Sequence, residues 1–235
     1  MASPRLQKLI AAFEARRDAS ADEPANDEEA VAQYRSYADE ELALVDGIGP
    51  SLPADTTVHA VSVAGVPCEW VMAQGASPHR RLLFIHGGGW LSGTLDNYRH
   101  QVEALSRATG LSVLAVDYRL APEHPFPAGL DDCVTAWIWM LENGPDGEGA
   151  CDRPLLAGDS AGDNLTFALM LRLKDEGKPL PVAAVAFAPA TDFTGASPSM
   201  TERRHLDPFI QLDNVDWIFG QYVLDGTPRT DPYVS

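Results

Sequence analysis

The sequence predicts an α/β fold in which a mostly parallel sheet has helices on both faces. From about residue 55 onward, short apolar runs alternate with amphipathic helical segments, as in strand–helix–strand units. The runs are apolar at successive positions, which is typical of parallel strands buried on both faces. Two of them lead directly into glycine-rich motifs, and ligands of such sheets bind at the carboxyl ends of the strands.

Residues 1–54 precede this alternation and are expected to be helical. Apolar residues recur at helical spacing in two stretches, which a polar, proline-containing segment separates. The stretches contain Leu6, Leu9, Ile10 and Phe13, and then Val31, Tyr34, Ala38, Leu42 and Val45. Glycines and prolines at 47–53 end the helical part.

The remaining elements follow in chain order. Strands are predicted at 57–65, 68–73, 80–85, 111–118, 153–160 and 181–190, and helices at 96–110, 127–144, 164–176 and 215–223. The helix at 127–144 is the clearest, because one apolar stripe that includes Cys133 runs along it between a proline and Asn143-Gly144. Residues 182–188 lack the charges and prolines of an edge strand, so we expect a neighbouring strand beside them, although no residue after Val223 provides one.

Composition narrows the classes of partner. The chain has 17 basic and 34 acidic residues, a formal charge of −17, which disfavours nucleic acid and anionic membranes. Cys68, Cys133 and Cys151 form no CxxC pair, so neither a disulfide framework nor a zinc site is expected. We expect a cytoplasmic protein, since the sequence shows neither a signal peptide nor an apolar run that could span a membrane.

The motif GDSAG, Gly158 to Gly162, predicts a catalytic serine. In the spacing G-x-S-x-G, two glycines allow a tight strand-to-helix turn that exposes the serine hydroxyl. The predicted strand before it and the helix after it fit that context. The alternative is an ordinary glycine turn in which Ser160 caps a helix.

The motif HGGGW, which begins at His86, predicts an oxyanion hole. Three glycines allow backbone N–H groups to approach a ligand, and we select those of Gly88 and Gly89, with Ala161 as a third donor. A phosphate loop is the rival interpretation, but neither GK[ST] nor G-x-G-x-x-G is present. A flexible loop is the simplest alternative. His86 could act as a general base, but a role in holding the loop is favoured.

Three motifs in order, HGGGW, DYRLAPEHPFPA at Asp117–Ala128, and GDSAG, resemble the hormone-sensitive-lipase-like branch of the α/β-hydrolases, the bacterial family IV esterases. The resemblance runs from about Ala60 to the C-terminus. It implies an α/β-hydrolase core at 55–235, an N-terminal helical cap at 1–54, and a second cap element near 198–224.

The same resemblance implies a carboxylic ester hydrolase acting on short- to medium-chain acyl esters through an acyl-enzyme. Ser160 would be the nucleophile, and Gly88, Gly89 and Ala161 would supply the oxyanion hole. The partner would be a small ester, and no metal or cofactor is expected. Asp163 departs from the family pattern, which has glycine there, and adds a charge beside the elbow.

A larger departure concerns the other two members of the catalytic triad. The family order is serine, then acid, then histidine. The last histidine here is His205, and the segment that carries it with Asp207 resembles the second cap element. We therefore expect an incomplete core that lacks its last strands, with the triad Asp and His beyond Ser235. A C-terminal polypeptide or a homo-oligomer could complete it.

Two other functions remain open. Plant gibberellin receptors resemble this family and lack the catalytic histidine, so the chain could bind a small ligand without turnover. It could also be an inactive fragment.

Overall fold

The computed structural model describes residues 3–18, 24–46, 51–203, 206, 212–224 and 226–235. The strands are β1 (Thr57–Val63), β2 (Val66–Met72), β3 (Ser77–Ile85), β4 (Leu111–Val116), β5 (Asn143–Gly144), β6 (Gly147–Glu148), β7 (Arg153–Asp159) and β8 (Ala183–Phe187). The helices are α1 (Pro4–Asp18), α2 (Asp27–Asp46), α3 (Leu95–Thr109), α4 (Ala128–Glu142), α5 (Ala161–Asp175), α6 (Pro198–Glu202) and α7 (Leu212–Tyr222).

Six strands form one sheet in the order β1-β2-β4-β3-β7-β8. Strands β4, β3, β7 and β8 run parallel to one another. At one side of the sheet, β2 pairs antiparallel with β4, and β1 pairs antiparallel with β2. The pair β5 and β6 is a small separate hairpin. Because the four parallel strands end at the same edge, the loops that follow β3 and β7 emerge side by side.

Helices cover both faces of the sheet, and the alternation of side chains along β3 shows how. Leu83 and Ile85 belong to the larger core, which contains buried residues of α4 and α5. Leu82 and Phe84 point to the opposite face and belong to a second core, which contains Tyr98 of α3. The prediction of a mostly parallel sheet with helices on both faces is confirmed.

Element boundaries differ from the predictions by a few residues. The helix predicted to begin at Asn164 begins at Ala161, because Ser160 already accepts the first hydrogen bonds of the helix. The helix predicted at 127–144 ends at Glu142, and Asn143 and Gly144 pair with β6 instead. Cys133 is fully buried in the core, as its position on the apolar stripe predicts.

The apolar strand at 182–188 lies at the edge of the described sheet, as expected for a core that lacks its last strands. β8 pairs with β7 on one side, and no described strand lies on its other side. Val182 and Val185 are consequently 63% and 48% exposed. The apolar sequence is that of a buried strand, but a strand is buried only when something packs beside it.

The predicted helical segment at 1–54 contains α1 and α2. Arg35 of α2 donates hydrogen bonds to the carbonyl oxygens of Leu91 and Ala121, 2.7 Å and 3.1 Å away, in loops at the carboxyl ends of the parallel strands. Its guanidinium also pairs with both carboxylate oxygens of Glu123. Within the described ranges, no helix has the length and apolar character needed to cross a bilayer.

Candidate active site

Ser160 occupies the sharp bend between β7 and α5. Its backbone has φ 54° and ψ −114°, a strained conformation for a residue other than glycine that typically costs about 1–3 kcal/mol. Its N–H donates to the carbonyl of Phe187 at 2.9 Å, and its carbonyl accepts from the N–H of Asp163 at 3.1 Å. These bonds fix the bend, and the serine remains partly exposed.

The two glycines of the elbow are required by close packing. A Cβ on Gly158 would lie 2.5 Å from the carbonyl oxygen of Gly162. A Cβ on Gly162 would collide with the carbonyl of Ile85 and lie 2.5 Å from that of His86. The elbow is therefore packed directly against the end of β3, where the glycine loop begins.

The glycine loop has its own turn, and its N–H donors are unused. Gly88 and Gly89 have positive φ angles of 113° and 61°. The carbonyl of Gly88 accepts hydrogen bonds from the N–H groups of Leu91 and Ser92 and from the Ser92 hydroxyl. Among the described residues, the N–H groups of Gly88 and Gly89 have no acceptor. They are available to a bound anion or oxyanion.

Strand pairing brings this loop and the elbow to one place. In the parallel register, Ile85 of β3 lies opposite Gly158 of β7, so the residues that follow each strand emerge together. A Cβ on Gly87 would lie 2.8 Å from the carbonyl of Asp159. The N–H of Ala161, at the start of α5, has no acceptor within the helix.

His86 is a buried residue behind the loop. Its Nδ1 lies 2.8 Å from the carbonyl of Gly87, and its ring stacks on Tyr118 with centroids 4.3 Å apart. Burial lowers the pKa of His86 to about 4, so the imidazole is neutral at pH 7. This geometry agrees with the favoured role of His86 in holding the loop.

Asp159 is bound by a residue that motif reasoning missed. Tyr98 of α3 donates its hydroxyl to the Asp159 carboxylate at 2.9 Å, and the same hydroxyl closes the space beside Gly87. Burial raises the pKa of Asp159, although this hydrogen bond acts in the opposite direction. The only sequence signal for Tyr98 is its place on the apolar face of α3.

Asp163, the departure from the family pattern, is buried in the first turn of α5. Neither of its carboxylate oxygens has a hydrogen-bond partner among the described residues. Burial, together with the nearby carboxylate of Asp159, raises the pKa of Asp163 to about 6. The first turn of α5 therefore contains a buried acid whose pKa lies well above that of an ordinary aspartate.

Helices α2 and α7 lie over the glycine loop. A Cβ on Gly89 would collide with the hydroxyl of Tyr34 and lie 3.3 Å from Cγ2 of Ile218. The rings of Tyr34 and Trp217 are 6.1 Å apart, so the two helices meet above the loop. Trp90, which follows Gly89, stacks on Tyr222 of α7 with centroids 4.6 Å apart.

Among the described residues, the structure brings no histidine to Ser160. In the part of the chain that it describes, the Ser160 hydroxyl has no hydrogen-bond partner, and His86 is directed to the loop. His205 and Asp207, in the segment that resembles the second cap element, lie outside the described residues. No group of three or more His, Cys, Asp or Glu side chains suited to a metal occurs among the residues described.

A parallel sheet with a strained serine elbow beside a glycine loop defines the class of α/β-hydrolases. A family model described as "alpha/beta hydrolase fold" matches residues 82–235, about two thirds of the sequence. The chain belongs to this family.

Relatives and solved structures agree with that assignment. An acetyl-hydrolase of Streptomyces hygroscopicus is 38% identical over 170 residues, covering 72% of this chain and 55% of that protein. The carboxylic ester hydrolase LipN of Mycobacterium tuberculosis is 34% identical over 201 residues, covering 80% of this chain and 53% of LipN. The chain thus spans about half the length of the curated relatives it matches.

A crystal structure of an esterase from the bacterial hormone-sensitive lipase family superimposes with a TM-score of 0.84 at 34% identity. The match covers 100% of this chain and 73% of that one. The predicted resemblance to the hormone-sensitive-lipase-like branch is confirmed.

Proposed function

We propose that this protein hydrolyses carboxylic esters of short- to medium-chain acids through an acyl-enzyme on Ser160. The observation that carries the proposal is the packing of the elbow against the glycine loop, which sets unused N–H donors beside a strained serine. The names of the relatives, an acetyl-hydrolase and a carboxylic ester hydrolase, support the same reaction.

In the proposed reaction, the Ser160 oxygen attacks the ester carbonyl carbon while its proton passes to a base. The N–H groups of Gly88, Gly89 and Ala161 stabilise the oxyanion of the tetrahedral intermediate. Collapse of that intermediate transfers the proton to the leaving alcohol and leaves an acyl group on Ser160. Water then attacks the acyl carbon, and the acid is released.

The base and its supporting carboxylate belong, in this proposal, to a polypeptide segment that packs beside β8. The exposure of the apolar side chains of β8 and the absence of a histidine partner for Ser160 among the described residues support it. The segment is either a longer form of this polypeptide or a separate one. Helices α2, α6 and α7 are proposed to form the cap, because α2 and α7 overlie Gly89.

Labelling with a fluorophosphonate tests the role of Ser160. In a form of the protein that includes the segment beside β8, we expect mass spectrometry to find the phosphonyl group on Ser160 and no label in Ser160→Ala, whereas Ser36→Ala, on the exposed side of α2, is labelled like the wild type; the 235-residue chain alone should react far more slowly. Turnover of p-nitrophenyl acetate should be roughly 10⁴-fold below that of a complete triad if the base is missing. Equal labelling of wild type and Ser160→Ala would refute the proposal.

A second candidate function is binding of a small ligand without turnover. The Ser160 hydroxyl has no hydrogen-bond partner among the described residues, which favours this function, because an unactivated serine is a poor nucleophile. This function would be favoured over hydrolysis if an ester bound saturably, was not hydrolysed, and left no acyl group on Ser160.

A cytoplasmic location is part of the proposal. Cys68 and Cys133 are buried thiols, Cys151 is partly buried, and none of the three is in a disulfide. Unpaired cysteines are typical of reducing compartments. A free-thiol titration of protein isolated from the native cell tests whether all three remain reduced.

A further inference from the structure

Tyr34 of α2 closes one end of the space above the glycine loop. Its hydroxyl lies where the side chain of any residue other than glycine at position 89 would project. Gly89 also has a positive φ of 61°, so two independent reasons exclude a side chain there. The three heavy atoms nearest to a Cβ built on Gly89 belong to Tyr34 and to Ile218 of α7.

The bonds of the neighbouring Arg35 and a ring contact with Trp217 help to hold Tyr34 in this position. The next residue, Arg35, binds the carbonyls of Leu91 and Ala121, which fixes the height of α2 above the loop. The ring of Trp217 lies 6.1 Å from the ring of Tyr34 at an interplanar angle of 55°. The Tyr34 side chain is therefore held in place, and a substrate chain that extended from the glycine loop toward α2 would have to displace it.

Tyr34 reaches the glycine loop from α2, which packs against the carboxyl ends of the parallel strands through the bonds of Arg35 to Leu91 and Ala121.

We propose that Tyr34 limits the length of the substrate arm, acyl or alcohol, that extends from the glycine loop toward α2. The proposal rests on the ester-hydrolase function above and adds its size selectivity. The aromatic ring of Tyr34 sets this limit on length, because it occupies the space that a long substrate arm would need. Removing the ring opens that space, whereas removing only the hydroxyl leaves it closed.

Binding of intact esters tests the limit without requiring turnover. In a Ser160→Ala background, tryptophan fluorescence reports binding, because Trp217 contacts Tyr34 and Trp90 follows Gly89. The ligands are ethyl acetate, hexyl acetate and ethyl hexanoate, which lengthen one arm at a time. We expect Tyr34→Ala to improve binding of one long ester relative to ethyl acetate by about tenfold, the effect of two or more additional buried methylenes.

Matched variants separate the effect of the Tyr34 ring from the effect of its hydroxyl and from that of any substitution in α2. Tyr34→Phe should keep the wild-type preference, and Tyr34→Leu, a second variant if Tyr34→Ala does not fold, should relax it. Ser36→Ala lies on the same helix and should change nothing. The inference is overturned if neither long ester gains in Tyr34→Ala or Tyr34→Leu, or if Tyr34→Phe relaxes the preference as much as they do.

The fluorophosphonate experiment keeps the two proposals apart. A changed binding preference without labelling of Ser160 would refute hydrolysis and support the role of Tyr34. Labelling of Ser160 with an unchanged preference would support hydrolysis and refute the role of Tyr34.

Discussion

At the scale of single residues, Gly162 joins the elbow to β3. A methyl group there would collide with the carbonyl of Ile85, a backbone atom that cannot move without disturbing the parallel pairing of β3 and β7. We expect Gly162→Ala to lower the free energy of unfolding by about 2–3 kcal/mol, as overpacking does. Urea denaturation measures it.

Gly220 of α7 provides the control for that substitution. A Cβ at this position would meet no atom within 4 Å. Gly220→Ala should be neutral or stabilise by up to about 1 kcal/mol, the difference in helix propensity. Equal destabilisation by both substitutions would contradict the close packing inferred at the elbow.

Asp163 makes stability depend on pH. Its pKa is raised to about 6 by burial and by Asp159, whereas that of an unfolded aspartate is about 4. Between these values the native state binds more protons than the unfolded state, so this residue's contribution to stability falls as pH rises. At pH 8 the buried carboxylate is charged and destabilising.

We therefore expect Asp163→Asn to raise the free energy of unfolding at pH 8 by about 1–2 kcal/mol. The gain should shrink as the pH is lowered through 6 and should disappear near pH 4, where aspartate is protonated in both states. Urea denaturation at several pH values measures it. A gain that is the same at pH 4 and pH 8 would show that the charge is not its cause.

At the scale of elements, Arg35 determines how firmly α2 is attached. One guanidinium binds the carbonyls of Leu91 and Ala121 and both oxygens of Glu123, whose pKa this pairing lowers to about 2. Glu123 is largely exposed, so we assign most of the stabilisation to the two bonds with backbone carbonyls.

Arg35→Met keeps much of the side-chain volume and removes these bonds. We expect faster hydrogen exchange of the α2 amides, by roughly tenfold to a hundredfold, because the lost bonds are worth about 1.5–3 kcal/mol. Exchange in β3 and β4 should not change. Equal acceleration in β4 would mean that Arg35 stabilises the whole fold.

At the scale of the molecule, β8 leaves an apolar edge uncovered. Val185 is 48% exposed on a strand that has no described neighbour on one side. Exposed apolar edges pair with other strands, and charges on them prevent this. We expect the 235-residue chain to self-associate with increasing concentration, and Val185→Lys to reduce that association.

Sedimentation velocity over a range of concentrations measures the effect of Val185→Lys. The control is Leu224→Lys, which places the same charge on an exposed apolar residue outside the sheet. If both variants reduced association equally, net charge would explain the result, and the edge of β8 would have no special role.

Much of this protein follows from its sequence. Periodicity predicted the strands and helices because apolar spacing reflects which side chains a regular element buries. The motifs around Ser160 and Gly88 identified the site because glycine is required wherever the backbone turns sharply or approaches another backbone closely. These constraints act over a few residues and are therefore visible in a short stretch of sequence.

The remaining features depend on contacts between distant residues. The approach of Tyr34 to Gly89, the bond from Tyr98 to Asp159, and the burial of Asp163 join parts of the chain that no local pattern connects. The exposure of β8 depends in the same way on what lies beside it, and sequence composition does not record that. Sequence alone determined which residues could act, and the tertiary structure decided what surrounds each of them, because pKa, access and strain depend on neighbours in space.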